Sequence, residues 1–198
     1  ILYPVLKAIA ARPELKLSLV VTGMHLSHEF GYTVQEIEND GFKIDARVDM
    51  LLSGDTVGAM AKSVGVGILG MAQTWERIKP DIIMVLGDRI EPLAAAIAGA
   101  YMNIPIAHVH GGDTCGNIDN PARHAITKFA HIHFPATKNS AQRIIKMGED
   151  KWRVHMVGSP TLDAFLSEAL LPTQVLSKRL GLDLSKPVRE ELWKALKK

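Results

Sequence analysis

Five short apolar runs recur along the chain: LKLSLVVTG (15–23), PDIIMVLGD (80–88), IPIAHVHGG (104–112), HIHFPAT (131–137) and WRVHMVGS (152–159). They are rich in Val and Ile and do not alternate strictly with polar residues, the pattern of strands buried on both faces of a parallel sheet. Between them, apolar positions return at helical spacing, roughly over 56–79, 91–101, 121–130 and 140–147. This alternation of strand and helix predicts a doubly wound α/β fold with a parallel sheet and right-handed crossovers. The tail LSKPVREELWKALKK (184–198) reads as a short amphipathic helix after a proline-containing turn. The chain opens at Ile1, without Met and within a helical pattern, so a fragment or a processed chain is expected.

In such sheets ligands lie outside the carboxyl ends of the strands. Those ends read TGMH (22–25), GDR (87–89), HGGD (110–113), AT (136–137) and GSP (158–160). Four of the five carry Gly, which permits sharp turns and close approach to a ligand, and together they favour a common cleft over five unrelated turns. His25, Gly158 and Ser159 are therefore candidate substrate contacts. Asp88, Asp113 and Asp119 are candidate catalytic acids, since carboxylates sharing a pocket can divide into proton donor and proton acceptor. Arg89 is placed either to pair with Asp88 or to hold a phosphate. In GNIDNPARHAITK (116–128), Asn120 reads as an N-cap with Pro121 in the first turn. That helix start would favour an anion, with Arg123 and His124 in reach of a diphosphate or a sugar.

Composition narrows the partners. The 198 residues are 47% hydrophobic and 22% charged with a formal charge of +2, and no basic block stands out. Nucleic acid and anionic membranes are disfavoured as partners, while a compact anionic ligand is not. The lone Cys115 cannot form an internal disulfide, and no apolar run of membrane-spanning length or signal-peptide pattern is present, so a cytoplasmic protein is expected. His108 and His110 share a strand face and, with Asp113, have a spacing that zinc ligands use. His108 sits inside an apolar run, however, as core histidines do, and neither a metal nor any other cofactor is expected. No G-x-S-x-G elbow exists, and GVGILG (65–70) falls inside a helical pattern rather than after a strand, so it reads as helix packing.

Taken together, TGMHL, KPDIIMVLGDR, NIPIAHVHGGD and IDNPARHAITK resemble the hydrolysing UDP-N-acetylglucosamine 2-epimerases, particularly the sialic-acid type, from residue 1 to about Leu184. The resemblance implies a Rossmann-like domain, residues 1–185, that is one half of a two-domain architecture like that of the B-type glycosyltransferases. A short C-terminal helix (186–198) follows. The opening strand and the second nucleotide-binding domain would then lie outside the chain, which by itself would be inactive. The implied reaction takes UDP-N-acetylglucosamine to UDP and N-acetylmannosamine, by anti elimination of UDP through a 2-acetamidoglucal and addition of water. Asp88 matches a family acid needed for catalysis and Arg89 the basic residue after it. Asp119, Arg123 and His124 match the segment lining the sugar. At His110 many members carry glutamate, and at Asp113 others carry glutamate, so the proton carrier in this loop is left open. A homodimer or homotetramer is implied, as is use of a nucleotide sugar. A related GDP- or diacetamido-sugar epimerase and a B-type glycosyltransferase domain are the alternative readings.

Overall fold

A computed structural model describes residues 1–54, 56–115 and 119–167, together with Val175 and Lys178. The chain divides into two compact units, Ile1–Leu162 and Asp163–Lys198. The expected boundary near residue 185 and the expected C-terminal helix lie outside the described residues.

In chain order the elements are α1 (Tyr3–Ala10), β1 (Leu19–Thr22), α2 (Val34–Asn39), β2 (Ile44–Val48), α3 (Val57–Ile78), β3 (Ile83–Leu86), α4 (Ile90–Tyr101), β4 (Ile106–Val109), α5 (Asp119–Phe129), β5 (Ile132–Phe134), α6 (Lys138–Lys146) and α7 (Pro160–Ser167). All named pairings are parallel: β1 with β2 in one sheet, and β3, β4 and β5 in that order in a second. A single core joins them, in which Val48 of β2, Ile83 and Val85 of β3 and Ile106 of β4 pack with Met71 and Trp75 of α3, Ala95, Ala96 and Ala98 of α4 and Ile126 of α5. The α/β class expected from the apolar runs is thus the fold observed.

Local chemistry explains the elements. Thr56 caps α3 by accepting the Ala59 N–H at 3.0 Å, and Thr137 caps α6 by accepting that of Ser140 at 3.1 Å. GVGILG lies wholly within α3, as its periodicity predicts. A Cβ on Gly67 would stand 2.9 Å from that of Ala94, and one on Gly70 would stand 2.5 Å from Val48 Cγ1, so these glycines let α3 lie close against α4 and β2.

Two expectations need correction. KIDARV, not among the predicted strands, contains β2: its burial alternates, and Asp45 accepts the Leu19 N–H at 3.0 Å across to β1. WRVHMVGS forms only an isolated bridge, Val154 with His133. It does run alongside β5, donating from His155 N–H to His133 O at 2.9 Å and from Val157 N–H to Pro135 O at 3.2 Å. Its apolar side chains are not buried as a strand's would be, with Trp152, Met156 and Val157 more than half exposed.

Candidate active site

β3 ends at Leu86, and Gly87 turns the chain through φ +79°. Its N–H remains in the sheet, bonded to Val109 O at 3.0 Å, so the turn that presents Asp88 is anchored to β4. Asp88 pairs with the guanidinium of Arg123, which α5 delivers from one turn after its start. The Arg123 side chain is 11% exposed, and it also donates to His110 O at 2.9 Å and approaches Asp113 Oδ2 at 4.0 Å. One buried cation therefore ties together the Asp88 turn, the HGGD loop and α5. Desolvating a guanidinium is costly, and the two carboxylates and the carbonyl offset that cost.

β4 is buried along its whole length. After it, His110 adopts φ +62°, a conformation few residues other than Gly hold, fixed by its N–H to Phe134 O at 3.0 Å and by Arg123 on its carbonyl. Gly112 follows at φ +77°, where a Cβ would stand 2.4 Å from Ser140 O. α6 secures the same loop: the Ser140 hydroxyl bonds Asp113, and Arg143 donates to Gly112 O. Ser140 and Arg143, three apart on one face of α6, were not among the predicted site residues. Their hydroxyl and guanidinium opposite a glycine-rich acid loop were the available signal.

Asp119 joins from the first turn of α5. Its carboxylate, that of Asp88 and the Cys115 thiol have ligand atoms within 4.8 Å of one another. Asn120 lies inside α5 rather than at its N-cap, and its side chain accepts the Cys115 N–H at 2.7 Å, with the thiol 3.3 Å away. Asp88 and Asp113 therefore face Arg123, and Asp119 stands beside Asp88. His110 Nε2, Arg123 Nε and His124 Nδ1 are buried without a hydrogen-bond partner, three polar atoms along these two segments that a bound molecule or water could satisfy.

The other predicted contacts lie elsewhere. Arg89 reaches Glu91 at 3.4 Å and Met24 Sδ at 2.6 Å, and it borders a cavity of about 540 Å³ whose wall includes Met24, His28, Phe30, Leu52 and Met60. His25 bonds Thr33 Oγ1 at 2.7 Å. Gly158 has φ +81° with open space at its Cβ, and Ser159 O accepts the Leu162 N–H at 3.0 Å. Among the described residues, neither His25 nor Ser159 bonds to Asp88 or Asp113.

Among the described residues, Asp88, Cys115 and Asp119 form the one group with cation-ligand spacing, although Asp88 is already paired with Arg123. The zinc set of His108, His110 and Asp113 is not assembled. His108 is fully buried with both ring nitrogens engaged, Nε2 with Gly87 O at 2.8 Å and Nδ1 with Thr127 Oγ1 at 3.1 Å. Burial lowers its pKa from 6.5 to about 4. The second H-x-H pair is also built into the sheet: His131 Nδ1 accepts the Ile106 N–H at 3.3 Å, and buried His133 stands 3.4 Å from Glu149. Burial lowers the His133 pKa, against the opposing charge of Glu149. Burial pushes the Glu149 carboxyl up, but Lys128, His133 and Arg153 together hold it below the ordinary range.

A parallel α/β domain of this kind is the architecture of one Rossmann-like half of a B-type-glycosyltransferase-like fold. The UDP-GlcNAc 2-epimerase from Neisseria meningitidis, solved bound to UDP-GlcNAc, shares this fold with TM-score 0.74 at 19% identity, over 83% of this chain and 44% of that one. A family model described as UDP-N-acetylglucosamine 2-epimerase matches residues 7–189, and the chain belongs to that family. It is 41% identical over 184 residues to a hydrolysing UDP-N,N'-diacetylbacillosamine 2-epimerase of Legionella pneumophila, covering 93% of this chain and 49% of that protein. It is 34% identical over 181 residues to a UDP-N-acetylglucosamine 2-epimerase of Neisseria meningitidis serogroup B, covering 91% of this chain and 47% of that protein. The chain spans about half the length of these curated relatives.

Proposed function

We propose that this chain is the N-terminal, acid-bearing domain of a hydrolysing 2-epimerase that converts UDP-N-acetylglucosamine to UDP and N-acetylmannosamine, supplying sialic acid or cell-surface polysaccharide synthesis. The observation that carries the reading is that Asp88 and Asp113 both face the buried Arg123, with the Asp119 carboxylate beside that of Asp88. In the reaction, a carboxylate takes the proton from C2 as the C1–O bond breaks and its electron pair leaves with UDP. Water then adds across the resulting double bond, its hydroxyl at C1 and a proton at C2 on the opposite face. Two proton transfers at neighbouring carbons need a base and an acid side by side, a task for two of three gathered carboxylates. Arg123 fixes the Asp88 carboxylate toward α5, while His110, His124 and Arg89 are substrate contacts, with His25, Gly158 and Ser159 further along the strand ends.

A related 2,4-diacetamido sugar nucleotide is the second reading, supported by the 41% identity to the Legionella enzyme. Base recognition belongs to a second domain of the kind the longer relatives have room for, and UDP or GDP is chosen there. The protein works in the cytoplasm, where sugar nucleotides are made, as a homodimer or homotetramer. Val57, Met60 and Leu69 of α3 offer exposed apolar surface for assembly. Among the described residues no helix is long and apolar enough to cross a membrane.

The test is Asp88→Asn in the full-length protein. It should fold as the parent does and lower kcat by on the order of 10²-fold, the scale of a lost positioned acid or base, with KM changed less. Near-parental kcat would make Asp88 a turn residue and move the site elsewhere.

A further inference from the structure

His108 is fully buried on β4, yet it is more than filling for the core. Its Nε2 meets Gly87 O at 2.8 Å, and Gly87 is the residue immediately before Asp88. Since the Gly87 N–H is bonded to Val109 O, both polar groups of that one residue are held by β4, one by the backbone and one by the His108 ring. On the other side of the ring, Nδ1 meets Thr127 Oγ1 at 3.1 Å, one helical turn after Arg123, the partner of Asp88. The HGGD loop rests on the same pair. A Cβ on Gly111 would stand 2.9 Å from His108 Nδ1 and 3.1 Å from Thr127 Oγ1. Gly111 is not among the positive-φ glycines, so it is this close approach, and not its backbone angle, that calls for glycine.

Proton accounting fixes the direction of the bonds. Gly87 O can only accept, so Nε2 carries the ring proton. The ring is kept neutral by burial, so Nδ1 is an acceptor and the Thr127 hydroxyl must donate to it. Thr127 Oγ1 also lies 3.0 Å from Arg123 O, an alternative acceptor that this assignment leaves to the helix.

We propose that His108, held in the Nε2–H tautomer by Thr127, is a positioning residue that sets the Asp88 turn, the HGGD loop and Arg123 in register, and so places the catalytic acids. The proposal rests on the reading of Asp88 as a proton-transfer group. A displacement of about 1 Å in a reacting group can cost on the order of 10²-fold in rate, so a device remote from the substrate can carry that much.

The experiment compares His108→Leu, His108→Gln, Thr127→Val and Thr127→Ser in the full-length protein, with Asp88→Asn as reference. Steady-state kinetics on UDP-N-acetylglucosamine and thermal unfolding are recorded for each. Loss of the donor to Gly87 in His108→Leu should lower kcat by about 10²-fold while KM stays within about threefold. Thr127→Val removes only the hydroxyl and should lower kcat by about tenfold. Thr127→Ser and His108→Gln restore a hydroxyl and an N–H donor and should recover most of the rate. Nitrogen NMR of the ring should find the proton on Nε2 at pH 7 in the wild type. The proposal is overturned if the Val and Leu variants keep kcat while Asp88→Asn loses it. It is equally overturned if rate losses follow the loss of melting temperature without rescue by Ser or Gln, or if the proton is found on Nδ1. If His108→Leu does not fold, the Val and Ser pair at 127 decides alone. Retention of kcat by Asp88→Asn would instead remove the acid–base reading on which the proposal stands.

Discussion

The buried histidines have a measurable consequence for stability. His108 has a folded pKa of about 4 against 6.5 unexposed to the fold, so between those values the unfolded chain binds more protons than the native one. Stability therefore rises with pH across that window and is lost as pH falls from about 6.5 toward 4, by on the order of 3 kcal/mol for this residue. His133, also depressed by burial, acts in the same direction. Glu149 adds a loss at the acid end, since its lowered pKa stabilises the fold above the unfolded carboxyl value of 4.5 and that contribution fades as pH falls through the folded one. Denaturant unfolding of the chain at pH 7.5, 6.5, 5.5 and 4.5 should show a midpoint that falls steadily below pH 6.5. A flat profile would mean that the two rings are solvated. The turns that carry the candidate acids were legible where strand ends collect Gly with Asp or His, because those residue types are poor choices for a buried strand and good ones for a turn. The bond of His108 to Gly87 was not legible, since an apolar neighbourhood fits a packed core histidine and the link joins residues 21 positions apart.

At the scale of elements, α3 offers a contrast within six residues. Gly67 packs against Met50 and Ala94, whereas Gly65 has no atom within 4 Å of where a Cβ would stand. Gly67→Ala should therefore destabilise by about 1–3 kcal/mol through overpacking. Gly65→Ala should stabilise by about 0.5–1 kcal/mol through helix propensity. Calorimetry should show melting temperatures moving in opposite directions by a few degrees, and equal shifts would contradict the packing of α3 on α4. The sequence pattern disclosed helices and central strands because burial on one or both faces leaves an apolar period. It concealed β2, whose charged Asp45 and Arg47 interrupt the run: Asp45 accepts a bond from β1 and Arg47 pairs with Glu38. It overstated residues 152–159, whose apolar side chains suggested a buried strand although only Val154 bridges to β5. Apolarity alone does not distinguish a side chain that meets a core from one that the described neighbours leave exposed.

For the whole molecule, we propose an acid–base elimination followed by hydration, carried out with a second domain opposite this one. The chain alone should fold cooperatively yet release no UDP from UDP-N-acetylglucosamine, because one wall cannot enclose and dehydrate the reacting sugar. Turnover by the isolated chain would contradict the two-domain reading. The full-length protein should keep its rate after prolonged EDTA treatment, with well under one zinc per chain by elemental analysis. Activity lost with zinc and restored by adding it back would instead assign the Asp88, Cys115 and Asp119 cluster to a metal. The most direct test is the reaction of the full-length protein with UDP-N-acetylglucosamine in D2O, followed by proton NMR. Free UDP and N-acetylmannosamine should be released in equal amounts, with one deuterium at C2 of the sugar. Formation of the UDP-linked 2-epimer without free UDP, or release of a free sugar that retains its C2 proton, would contradict it.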